Sequence, residues 1–255
     1  MRWTLLVDPA GSPGWQNMAT DQALLDLAAG EGRAFLRLYR WEPAALSFGR
    51  NEPALRRYDR AAIERLELHP VRRPTGGRAV WHAEELTYAV AAPEATFGDL
   101  RTAYLRIHEM LAAALRRLGA GASLAGPPAR TTGLDAGACF ASPAGGEVMV
   151  GGRKLVGSAQ LRERGALLQH GSLLLAGSQA VVAEVTIGTP PADQSTALAA
   201  VLGGPVPFAD VANAIAIAAR AWPGHWEHAA DFPPLATAAA LHADRFRGDA
   251  WTWRR

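Results

Sequence analysis

The hydrophobic period of this chain switches several times, and the order of the switches limits the folds open to it. Residues 97–120, FGDLRTAYLRIHEMLAAALRRLGA, place Leu100, Tyr104, Ile107, Leu111 and Leu115 on one helical stripe that Gly119 ends. Just before it, ELTYAVAAP (85–93) alternates with a period of two. After it, EVMVGGRKLVGSAQLRERGALLQHGSLLL (147–175) predicts consecutive strands joined by glycine turns. Strand and helix runs therefore mix without strict βαβ alternation. That order predicts an α+β fold, a single domain over 1–255 with a mixed or antiparallel sheet flanked by helices. With 255 residues, 49% of them hydrophobic, the chain can bury a large core.

The remaining elements follow the same logic. TLLVD (4–8) reads as a first strand, and NMATDQALLDLAA (17–29) as a helix with Asn17 at its N-cap. FLRLYRW (35–41) and ALSFGR (45–50) are expected to pair as a hairpin-like unit. YDRAAIERLEL (58–68), residues 207–222 and a stretch near 234–245 suit helices, and 121–146, rich in Gly, Ala, Pro and Thr, is expected to be a mobile loop.

Composition excludes several classes. A single cysteine leaves no internal disulfide framework and fits a reducing, cytoplasmic compartment. The apolar run at the N-terminus is too short for a signal peptide and is interrupted by Asp8. The most apolar long stretch, 195–222, is broken by Gly203, Gly204, Pro205, Pro207 and Asp210, so no membrane span is expected. Net charge is +2 with no block of like charges, which gives no reason to expect a nucleic-acid partner. The seven histidines are scattered, and no metal site is expected.

One basic residue stands apart. Of 26 Lys and Arg residues, only Lys154 is a lysine, and it lies fifteen positions after the lone cysteine, Cys139. A GC-rich genome converts lysine to arginine wherever a surface charge is enough. Arginine fails where a compact amine must point at one atom or change protonation state. If the part of 151–175 that carries Lys154 is a strand, Lys154, Val156 and Ser158 share a face. Cys139 is either a small buried hydrophobe or, beside a cation, a nucleophile for acyl transfer. RRPTGGRAVWH (72–82) is either a tight turn with surface arginines or a ligand cradle. In the cradle, Gly76 and Gly77 would admit close backbone approach and Arg72, Arg73 and Arg78 would grip an anion. It has neither a Walker pattern nor a dinucleotide fingerprint. His170 is either a base or a satisfied, half-buried histidine.

RRPTGGRAVWHAEELTYAV and GRKLVGSAQLRERGALLQHGSLLL resemble the lipoate-protein ligase-like superfamily of cofactor transferases, which includes biotin-protein ligases, lipoate-protein ligases and octanoyltransferases. NMATDQALL, WEPAALSFGR and the closing DAWTWRR extend the resemblance over nearly the whole chain. It implies the biotin/lipoate protein ligase catalytic-domain fold. RRPTGGR and CFASP resemble the octanoyltransferase branch that works through a cysteine thioester and serves the glycine cleavage H protein. The resemblance implies a catalytic pair, Cys139 as nucleophile and Lys154 beside the acyl carbonyl. It also implies a substrate-binding set of Arg73, Gly76, Gly77, Arg78, His82, Gly157, Ser158, Gln160, His170, Gly171 and Ser172. The donor would be octanoyl-acyl carrier protein and the acceptor a lipoyl domain. No cofactor is then needed; ATP and magnesium enter only if the chain is instead an ATP-dependent lipoate-protein ligase. An amidotransferase between lipoyl domains and a non-catalytic binding homologue are the other readings. Gly145 and Gly146, where relatives often carry bulkier or polar residues, are expected to loosen the segment bearing Cys139.

Overall fold

In a computed structural model of the chain, residues 1–126, 145–190 and 192–254 are described. Twelve strands occur among them. They are β1 Arg2–Ser12, β2 Ala34–Trp41, β3 Ala45–Phe48, β4 His69–Arg72, β5 Val80–His82, β6 Glu85–Pro93, β7 Ala122–Leu124, β8 Val148–Val150, β9 Arg153–Lys154, β10 Val156–Glu163, β11 Ala166–Leu174 and β12 His225–His228. The main sheet has the order β10-β11-β6-β2-β1-β12. Its β10, β11, β6 and β2 neighbours pair antiparallel, whereas β1 pairs parallel with both β2 and β12. The sheet is mixed because β1 and β2 are joined through the helix Gly14–Glu31, as a parallel pair requires. Among the described residues, β4-β3-β5 and β7-β8-β9 form two further three-stranded sheets.

Helices cover both faces of the main sheet. Gly14–Glu31 buries Met18, Leu24, Leu25 and Ala28 with Phe35, Tyr39, Ala89 and Leu168 on one face. Leu100–Arg117 and Phe208–Ala219 pack on the other, over Leu36, Leu38, Tyr88 and Val90. The predicted stripe holds: Ile107, Leu111 and Leu115 are fully buried, each worth about 2 kcal/mol. Asp99 caps this helix, accepting the Thr102 amide at 2.7 Å. Strands β6 and β11 are buried on both faces, because helices lie above and below them.

Several local expectations are corrected. The first helix starts at Gly14 after Pro13, whose fixed φ suits a helix start, so Asn17 is no N-cap. Asn17 is buried, and its Nδ2 donates to the carbonyls of Ser12 and Arg40. β2 and β3 form no hairpin: Pro43 has no amide for a ladder, and β3 instead pairs with β4 and β5. Residues 58–68 hold only the helix Arg60–Arg65, because Asp59 caps it from within the predicted span. The stretch near 234–245 divides into Pro233–Ala240 and Ala243–Arg247. Within 121–146, residues 122–124 are strand β7, paired with β8. Gly146 is firmly held. Its amide donates to Ala125 O at 2.8 Å, its carbonyl faces His108 Nδ1 at 2.7 Å, and an added Cβ would lie 2.6 Å from Leu105 Cδ2. Consecutive strands do fill 147–175, but Lys154 does not share a strand face with Val156 and Ser158, because β9 and β10 belong to different sheets. The Leu155 amide bonds Val148 O while its carbonyl accepts the Leu174 amide, which separates Lys154 in β9 from Val156 and Ser158 in β10.

Candidate active site

Strand register sorts the candidate residues onto two sides of the sheet. Arg37, Ala89, His170 and Ala159 form one cross-strand row, and Tyr39, Thr87, Ser172 and Gly157 the next, on the side of Gly14–Glu31. Leu38, Tyr88, Gly171 and Ser158 form the intervening row, facing the helix Leu100–Arg117.

The first side carries a narrow slot of about 20 Å³, room for about one water. Its lining includes Met18, Trp41, Arg73, His82, His170, Gly157 and Ser172. Two hydroxyl–imidazole–carboxylate chains build its walls. In one, His170 Nδ1 lies 2.7 Å from Asp21 Oδ2 and its Nε2 2.6 Å from Thr75 Oγ1. In the other, His82 Nδ1 lies 2.8 Å from Glu85 Oε1 and its Nε2 2.6 Å from Ser47 Oγ. Burial holds His170 below the ordinary imidazole range despite Asp21, so its ring is neutral at pH 7 and donates from Nδ1. The His82 ring stacks on Trp41 with centroids 3.9 Å apart, and the Trp41 indole donates to Thr87 Oγ1 at 2.8 Å. With both ring nitrogens bonded, each imidazole presents mainly its faces and C–H edges to the slot.

Arg73 holds the turn it precedes. It donates to Ser47 O and Oγ from Nη1, and to Gly76 O at 3.0 Å and Arg78 O at 2.8 Å from Nη2. Gly77 has φ of +90°, which glycine adopts without strain. Arg78 is half-buried. Arg72 does not face a ligand: it is fully buried and donates to the carbonyls of Gly49, Glu52, Trp251, Thr252 and Arg254. It thereby ties the chain's Trp251–Trp253 region to the turn after β3.

On the second side, Ser158 Oγ lies 2.6 Å from Tyr88 OH and 2.8 Å from His108 Nε2. Gln160 donates to Leu100 O and to Gln169 Oε1, away from the slot. Gly171 leaves the space these groups occupy, since its Cβ would lie 2.6 Å from both Gly157 O and Ser158 Oγ. Burial pushes His108 down to about 4, outweighing its bond to Gly146 O. Folding therefore disfavours His108 protonation, and the unfolded chain binds the extra proton below about pH 6.5. Stability should fall as pH drops from about 6.5 to 4, by about 3 kcal/mol for this group. Urea titrations across that range should show a shallower decline in His108→Gln.

Lys154 and Glu147 form a buried ion pair, Nζ to Oε1 at 2.5 Å. Cys139 lies outside the described residues, so its separation from Lys154 is not part of this geometry. The sequence reading missed Asp21, Arg37, Glu85 and Glu147. A signal existed for Asp21: Asn17 and Asp21 fall among Met18, Leu24 and Leu25 on a helix whose buried face should be apolar.

Among the described residues no group of three His, Cys, Asp or Glu side chains could hold a metal ion, and no helix is long and apolar enough to cross a membrane. A model of the lipoyl protein ligase A/B catalytic domain matches residues 13–219, which contain both halves of the slot. A relative from Exiguobacterium sp. named Octanoyltransferase LipM is 45% identical over 116 residues, 45% of this chain and 41% of that protein. One of the same name from Moorella thermoacetica is 43% identical over 155 residues, 57% of this chain and 55% of that protein. The matches thus span about half the length of these curated relatives. A putative lipoate protein ligase from T. acidophilum, solved with bound lipoic acid, superimposes with a TM-score of 0.81 over 99% of this chain and 100% of that one, at 20% identity. That likeness is one of fold.

Proposed function

The chain belongs to the lipoyl protein ligase A/B catalytic-domain family, and from that premise we propose that it is an octanoyltransferase of lipoate biosynthesis. The observation that carries this reading is the identity of 39–45% to several relatives named Octanoyltransferase LipM. The slot agrees with it: locked imidazole faces, glycine backbone and Met18 suit an alkyl chain better than a charged ligand. Each methylene buried there contributes about 0.8 kcal/mol. An octanoyl chain needs more room than one water does, so the walls part on binding, and Met18 is the unbranched wall residue best able to move.

The donor is octanoyl-acyl carrier protein. The Cys139 thiolate attacks the thioester carbonyl, the C–S bond to the carrier breaks, the carrier leaves as its thiolate and takes up the proton that the Cys139 thiol gave up, and the octanoyl group rests on Cys139. A lysine amine of a lipoyl domain, such as that of the glycine cleavage H protein, then attacks. A C–N bond forms, the C–S bond breaks, and the amine's proton ends on the Cys139 sulfur. Lys154 donates to the oxyanion that develops in each half-reaction. The donor thioester is already activated, so neither ATP nor another cofactor takes part. The reaction belongs in the cytoplasm, where the thiol stays reduced.

Intact mass after mixing the protein with octanoyl-acyl carrier protein, without ATP, tests this. A hydroxylamine-sensitive octanoyl adduct is expected on the native chain and absent from Cys139→Ser. If no adduct forms, and a lipoyl domain is modified only when ATP and free acid are supplied, the chain is a ligase and the proposal fails.

A further inference from the structure

We propose that Glu147 is the positioning residue of Lys154: its carboxylate selects the one placement of the ammonium from which acyl transfer proceeds. The proposal rests on the reading of Lys154 as oxyanion donor given above. Both side chains are buried, Lys154 to 1% and Glu147 to 4% exposure, and the Nζ–Oε1 separation is 2.5 Å.

The backbones of the two residues are held by different parts of the fold. The Lys154 amide donates to Gln194 O at 3.2 Å, and its carbonyl accepts the Thr196 amide at 2.9 Å. In the β8–β9 ladder it stands opposite Met149. Glu147 is fixed from the other direction. Its carbonyl accepts the Ala125 amide at 2.7 Å, and the preceding Gly146 is clamped by Ala125, His108 and Leu105 as described above. The carboxylate therefore starts from a rigid anchor, while the lysine reaches it on a flexible four-carbon stem. Pairing the flexible group to the anchored one removes the stem's freedom. Oxyanion donors act at about 2.7–3.1 Å, and a misplacement of about 1 Å costs on the order of 10²-fold in rate.

The residue types support a role beyond holding the fold together. A guanidinium pairs with a carboxylate through two parallel bonds, and this chain uses arginine at its 25 other basic positions. At this buried position the chain instead keeps the compact amine. An ammonium carries three donors, and the one given to Glu147 fixes the direction in which Nζ is held. His108, in electrostatic contact with Lys154, is neutral at working pH, while the Glu147 carboxylate is paired directly with the ammonium.

Single-turnover octanoyl transfer to Cys139 and on to a lipoyl domain tests this in Glu147→Gln, Glu147→Asp, Lys154→Arg and the Glu147→Gln/Lys154→Arg double variant, each with its thermal midpoint. Glu147→Gln should lower the transfer rate about 100-fold while KM for octanoyl-acyl carrier protein changes less than about 2-fold. Glu147→Asp, which keeps the charge but sits one methylene back, should lie about 10-fold below the native rate. Added to Lys154→Arg, Glu147→Gln should cost nothing more, because the residue it acts through is already altered. If Glu147→Gln fails to fold, the folded Asp variant decides: a reduced rate at native KM supports the proposal, and a native rate overturns it. A native rate in Glu147→Gln, or losses that multiply in the double variant, also overturn it. Lys154→Arg at the native rate would instead sink the parent reading of Lys154, whatever Glu147 does.

Discussion

Asp21→Ala should lower stability by about 4 kcal/mol and suppress the proposed octanoyl transfer as well. Asp21 is fully buried, and its two oxygens accept from Arg37 Nη1 at 3.0 Å, Tyr39 OH at 2.9 Å and His170 Nδ1 at 2.7 Å. Removing the carboxylate leaves the Arg37 guanidinium buried against Asn17 Oδ1, with Asp8 no nearer than 3.9 Å. An uncompensated buried charge costs about 3–5 kcal/mol, and a buried hydroxyl or imidazole N–H without a partner about 1–3 kcal/mol more. Relaxation and water entry recover part of that sum. At about 2–4 °C per kcal/mol for a chain of this size, the thermal midpoint should fall by about 8–16 °C. Asp21→Asn should be milder, because it keeps the volume and one acceptor, though its amide places a donor against donors. The effect on transfer follows from His170: without Asp21 the Nδ1–H loses its acceptor, the ring is held only by the Thr75 hydroxyl, and one wall of the slot loses its fixed orientation. A loss under about 1 kcal/mol by urea titration in the Ala variant would mean that the Arg37–Asp21–His170 cluster is not the structural hub its geometry indicates.

The legibility of this protein in its sequence divides along physical lines. The long elements were readable because one face of each is buried: Ile107, Leu111 and Leu115 repeat at helical spacing, and 85–93 forms one strand as predicted. β12 was not readable. Its four residues, His225–His228, are polar or only partly buried, and it exists because the β1 edge is there to pair with. The hairpin expected from 35–50 failed at Pro43, where local alternation says nothing about which sheet receives β3. Of the residues that the motif resemblance singled out, Arg73, His82, His170 and Ser172 are among those lining the slot, whereas Gly76, Gly77, Arg78 and Gln160 are not, and the resemblance gave no division between the two faces. That division comes from the β10–β11–β6 register, which puts His170 and Ser172 toward the slot and Gln160 toward Leu100. The carboxylates behind the histidines went unread for a related reason: Asp21 is far from His170 in sequence, and only the packing of Gly14–Glu31 on the sheet joins them.

Gly49→Ala should be among the most damaging methyl additions the chain can suffer, and Gly76→Ala nearly harmless, although both glycines belong to the same corner of the site. A Cβ on Gly49 would lie 1.9 Å from Gly77 O, 2.7 Å from Gly77 C and 3.0 Å from Gly76 C. All three are backbone atoms, so no side chain can swing aside. The backbone of Gly49 itself is tied down, its carbonyl accepting from Arg72 Nη1 at 2.7 Å, while the neighbouring Arg50 amide donates to Thr75 O at 2.7 Å. The Gly76–Arg78 turn must therefore give way, and with it the Arg73 bonds to Gly76 O and Arg78 O. Overpacking of this kind costs about 1–3 kcal/mol or more. Displacing the turn also moves Thr75 and so disturbs the hydroxyl end of the His170 chain. Gly76 has open space around its Cβ direction and no positive φ, so alanine there should change stability by less than about 0.5 kcal/mol. Thermal melts and transfer rates of the two variants, measured side by side, separate steric contact from glycine content. Equal behaviour would show that the close approach of Gly49 to Gly77 is wrong. A large loss confined to Gly49→Ala would place the backbone contact, rather than the flexibility of the glycine pair, at the root of this side of the slot.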